Sequence, residues 1–95
     1  MTIVLPQTKF PDKMVQEIIH AALRDQANLA RLRAAQFVNE CRAFEERFHM
    51  NTEDFVNKFE AGELGDDEIW FDWFAAARGR EVWSVKANVL LEVAA

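Results

Sequence analysis

From Pro11 to Phe48 the chain runs without a glycine or a second proline. Along it Ile19, Leu23, Ala27, Ala30, Ala34, Phe37, Cys41, Phe44 and Phe48 recur every three or four positions, the spacing of one face of an α-helix. Pro11 followed by Asp12 suits a helix start, where proline loses nothing and an acid meets the positive end of the helix dipole. The pattern predicts a helix over about 12–48. Three alanines in mid-seam let a neighbouring helix approach closely, and phenylalanines fill the wider end. A second stripe, Val15, Ile18, Ala22, Leu29 and Leu32, lies on an adjacent face and calls for more than one neighbour.

Breaks follow near positions 49 to 52 and 62 to 66, where Gly62 and Gly65 stand. Thr52 before Glu53 and Asp54 reads as a helix cap, with Phe55, Val56 and Phe59 on one apolar side, so a short bridging helix is expected over about 53–61. A third helix, about 67–93, opens on Asp66 or Asp67. Trp73, Ala76, Trp83, Ala87, Leu90 and Ala94 mark one of its seams, and Phe71, Phe74, Val82, Val85 and Val89 a second. Residues 1–10 read as an extended arm ahead of a single helical domain, 11–95.

The fold class expected is therefore all-α, a long-helix hairpin with a short bridging helix, dimerising into a helical bundle. A straight helix over 12–48 would be about 55 Å long at 1.5 Å per residue, twice the width of a compact chain of this size. Either it bends or breaks near Asp25 to Asn28, its weakest helix formers, or a second copy of the chain covers its length.

Ninety-five residues support one small domain, and 51% hydrophobic with 28% charged residues places the chain among folded proteins. The single cysteine, Cys41, cannot form an internal disulfide, and no apolar run approaches a membrane span. The first residues lack the pattern of a secretory signal, so a cytoplasmic protein with no membrane role is expected. Charge is unevenly distributed. Residues 1–50 carry seven basic and six acidic side chains, whereas residues 51–95 carry four and ten, giving the net −5. From Glu60 to Asp72 there are six carboxylates and no base. That segment repels a phosphate backbone, which argues against direct nucleic-acid binding, and suits a basic protein partner.

Catalytic chemistry finds little to use. Ser84 is the only serine, tyrosine is absent, and nothing pairs Ser84 or Cys41 with a histidine, so no catalytic residue and no cofactor is expected. Both histidines follow a glutamate by three residues, Glu17 to His20 and Glu46 to His49. On a helix that spacing places carboxylate and imidazole together, as in ferritin-like metal bundles, which makes a metal-binding helical bundle using these pairs the alternative reading, with a metal oxidase a remoter one. In one continuous helix the two pairs stand about 43 Å apart, however, so each would need further ligands from elsewhere. Arg42 and His49 loosely resemble the Arg-x4-6-His motif of HEPN-type ribonucleases. The run Gly65-Asp66-Asp67-Glu68 lacks the alternating oxygen ligands of a calcium loop and serves better as a helix cap.

The stretch from Thr52 to Ala76, and above all Phe59-Glu60, Gly62-Glu63-Leu64-Gly65-Asp66-Asp67 and Trp70-Phe71-Asp72-Trp73, resembles small prokaryotic helical proteins of the antitoxin type. The resemblance implies a non-enzymatic protein-interaction module in which Glu60, Glu63, Asp66, Asp67, Trp70 and Trp73 neutralise a basic toxin. The remaining possibility is a purely structural oligomer.

Overall fold

A computed structural model describes residues 6–95. It contains three helices, α1 (Asp12–Phe48), α2 (Thr52–Glu60) and α3 (Glu68–Ala94). Of the expected arm, residues 1–5 lie outside the described residues, and 6–10 form an irregular, exposed lead-in with a Thr8 turn, whose hydroxyl accepts from the Phe10 N–H at 3.0 Å.

α1 is one uninterrupted helix of 37 residues, and the molecule measures 59 × 22 × 19 Å. There is no break at Asp25 to Asn28. Intrinsic penalties there are a few tenths of a kcal/mol per residue, about 0.5, and Asp25, Gln26 and Asn28 point outward while Ala27 is buried. Packing of the alanine seam outweighs weak local propensity.

α3 returns antiparallel along α1. Phe37 lies against Gly79, Arg33 stacks over Trp83 at 4.6 Å, and Phe44 and Phe48 meet Trp73. In this register roughly ten residues at the start of α1 project past the end of α3. The buried seam is made of small side chains, Ala27, Ala30, Ala34 and Cys41 on α1 and Ala76, Ala77, Ala87 and Ala94 on α3. Small residues bring the helices close but bury little apolar area each. The large side chains collect at the closed end of the hairpin instead.

There α2 folds back over both long helices. α1 stops at His49, which adopts the left-handed conformation (φ 53°, ψ 45°) with its N–H donating to the Glu45 carbonyl. Asn51, not Thr52, caps α2, its side chain accepting from the Asp54 N–H at 2.8 Å. Thr52 sits one position inside the helix, buried. Gly62 ends α2 in a Schellman turn, in which its N–H donates to the Phe59 carbonyl and that of Glu63 to the Lys58 carbonyl. The positive φ of 74° at Gly62 is the reason a glycine stands there.

Trp73 is the centre of this end, with 0% of its surface exposed. Phe55 of α2 stacks on it at 4.0 Å between ring centroids, and Phe44 and Phe48 of α1 stack at 5.6 and 5.7 Å. Its indole N–H donates to the Thr52 hydroxyl at 3.1 Å, and the Thr52 N–H donates to a Glu45 carboxylate oxygen at 2.8 Å. No buried side-chain polar atom among the described residues lacks a partner. Paired aromatic rings contribute about 0.5–1.5 kcal/mol each beyond their buried area, so the cluster fixes α2 far more firmly than nine residues of helix could fix themselves.

Candidate protein-binding surface

The acidic segment forms the connection between α2 and α3. Glu60, Glu63, Asp66 and Asp67 are all exposed. Asp67 caps α3, accepting from the Ile69 N–H at 3.3 Å, and Glu68 occupies its first turn, so carboxylates meet the positive end of the α3 dipole. The cap keeps this run of charge at a fixed position on the molecule. No basic side chain interrupts it between Glu60 and Asp72.

The two tryptophans of the expected surface separate. Trp70 is half-buried, tilted against Phe48 at 4.7 Å. Trp73 is enclosed by Phe44, Phe48 and Phe55 and holds the Thr52 hydroxyl, so it is a core residue and presents nothing to a partner. α1 and α2 cover it together. In its place the structure exposes Phe71, packed edge-on against Phe59 at 5.2 Å. Its sequence signal was membership of the second apolar seam of α3.

The Glu-His pairs stay apart. Glu17 and His20 line a shallow hollow on the projecting end of α1 with Lys13, Gln16 and Arg24, two of which are cations that oppose a metal ion. Glu46 and His49 lie at the other end of the helix, both exposed. Among the described residues no group of three or more His, Cys, Asp or Glu side chains is arranged to hold a metal ion. Arg42 is exposed on α1, about two helical turns before the left-handed His49.

Cys41 is buried beneath Thr52. Burial pushes its thiol above the ordinary value of 9.0, with Glu45 and Glu40 adding to the effect and Arg80 and the Thr52 hydrogen bond opposing it. A neutral, enclosed thiol is a packing group rather than a nucleophile. An open groove of about 620 Å³ is lined by Val38, Val56, Phe74 and Ala77 together with Glu53 and Arg80. All three helices contribute to this groove, so no spacing along the sequence could reveal it.

No described helix is long and apolar enough to cross a membrane. Comparison with protein-family models, with curated proteins and with solved structures finds no match.

Proposed function

We propose that the chain is a non-enzymatic protein-interaction module of the antitoxin type, which self-associates into a helical bundle and binds a basic protein through the acidic face of the α2–α3 connection. The observation that carries this reading is the exposure of Glu60, Glu63, Asp66 and Asp67 together, beside an exposed Phe71 and with no base among them. Uncompensated like charges at one end of an elongated molecule raise the rate of encounter with an oppositely charged surface and reject like-charged ones. An exposed aromatic within that field supplies the apolar contact that charge alone does not. Trp70 borders the contact, and Trp73 supports it from within.

The test is co-expression with the product of the adjacent reading frame, followed by titration of the purified pair. Rescue of growth, and binding that weakens with added salt and with the triple change Glu60→Lys, Glu63→Lys and Asp66→Lys, is the expected result. Binding indifferent to both salt and charge reversal contradicts the acidic face. Absence of binding and rescue, with self-association retained, leaves the chain a structural oligomer.

A further inference from the structure

The outer face of α3, turned away from α1, carries Val82, Val85 and Val89 at 52, 55 and 52% exposure. On the same face Arg78 precedes them and Glu92 follows, both exposed. Positions 78, 82, 85, 89 and 92 step by three or four, so they form a single stripe in the order cation, three valines, anion. Exposed valines are poor choices on a helix surface, since β-branching lowers helix propensity and nothing local compensates.

The molecule also exposes more surface than its mass requires. Its accessible area is 6994 Å², against about 5,600 Å² for a compact monomer of 11.0 kDa. Its radius of gyration is 18.8 Å, against about 12 Å for a compact chain of this length. The excess, about 1,400 Å², is spread over the whole elongated chain, including the exposed lead-in and the start of α1 that projects past α3.

Resting on the reading of the chain as a self-associating module, we infer that a second copy of this chain covers the valine stripe, with its α3 antiparallel to the first across a two-fold axis. Two charge relationships select this occupant and this direction. With Val82 opposite Val85 of the second copy, Arg78 falls within about one helical turn of Glu92 of that copy, and the symmetry repeats the pair at the other end. A parallel arrangement sets Arg78 on Arg78 and Glu92 on Glu92. Antiparallel pairing also sends the two acidic segments, residues 60–72, to opposite ends, whereas parallel pairing sets them side by side. The existing Arg78–Glu81 contact, 3.5 Å between two largely exposed side chains, is too weak to hold Arg78 back. The acidic face of each copy stays open to a basic partner, since it begins on the turn before α3 and the stripe ends at its far half.

Sedimentation equilibrium of the full chain tests this, with far-UV circular dichroism as the control for folding. The wild type is expected to dimerise at micromolar concentration. Val85→Glu is expected to weaken the dimer by about tenfold or more without loss of helix, because the position is exposed in the single chain. Arg78→Glu and Glu92→Arg are each expected to weaken it, and the double variant to restore it. A wild-type dimer untouched by Val85→Glu overturns the stripe as the interface, and failure of the double variant to restore what the single ones lose overturns the antiparallel direction. A wild type that stays monomeric overturns this inference and the self-association reading together, leaving the stripe to a different protein. None of these outcomes depends on whether a basic partner binds the acidic face.

Discussion

The indole N–H of Trp73 and the hydroxyl of Thr52 form a buried hydrogen bond of 3.1 Å between residues 21 positions apart. It joins the second turn of α3 to the first turn of α2, and the Thr52 backbone N–H continues the chain of bonds to Glu45 on α1. One threonine thus ties three helices together. Thr52→Val keeps the shape but leaves the indole N–H without a partner in an enclosed site. A loss of about 1–3 kcal/mol is expected in denaturant unfolding followed by tryptophan fluorescence, the usual cost of an orphaned buried donor. Thr52→Ser, which keeps the hydroxyl, should lose distinctly less. Equal losses for both would contradict the hydrogen bond's role.

Gly79 lies within α3, where alanine would ordinarily be better by about 1 kcal/mol. A Cβ there would stand 2.7 Å from three atoms of the Phe37 ring. Gly79→Ala is therefore expected to destabilise by about 1–3 kcal/mol, as overpacking does. In a Phe37→Ala background the same change should become stabilising. A double-mutant cycle checks this, and simple additivity would show that the ring moves aside freely.

His49 holds a left-handed conformation that costs a residue bearing a Cβ about 1 kcal/mol. Replacement by glycine should raise stability by up to about that amount. A decrease in the unfolding midpoint would indicate that the imidazole makes a stabilising contact.

The thiol of Cys41 is held above its ordinary value of 9.0, chiefly by burial. In the unfolded chain the thiol ionises first, so the unfolded state binds fewer protons than the folded one above that pH. The stability contributed by the buried neutral thiol is accordingly complete below about pH 9 and falls as pH rises beyond it. Unfolding free energies of wild type and Cys41→Ala between neutral and alkaline pH should converge as pH increases. A constant difference would contradict a shifted thiol. At neutral pH the native protein should react with a thiol reagent only on unfolding.

Much of the hairpin is legible from local spacing. The seam Ala27, Ala30, Ala34, Cys41 is buried as its three-and-four periodicity requires, and Gly62 stops α2 because a left-handed position favours glycine. What the spacing leaves open depends on partners distant in sequence. Asn51 and Thr52 are both good caps, and Thr52 is drawn inside the helix because its hydroxyl has a second claimant in Trp73. Trp73 and Phe71 share an acidic aromatic segment but lie on different seams of α3, and packing against α1 together with the fold-back of α2 covers the first and leaves the second exposed. Gly79 reads as a weak point of a helix until Phe37 is placed across from it. In the candidate surface the carboxylates are legible because nothing nearby in sequence can neutralise them, whereas the identity of the exposed aromatic is a tertiary fact.

An elongated hairpin that leaves Val82, Val85 and Val89 on one face and Ile18 and Leu32 on α1 in water has apolar surface suited to another polypeptide. The most direct measurement is sedimentation velocity of the full chain over a range of concentrations from nanomolar to high micromolar. A sedimentation coefficient that climbs with concentration toward that of a dimer is the expected result. A single slow species at every concentration, with the elongated frictional ratio of the lone hairpin, would contradict it.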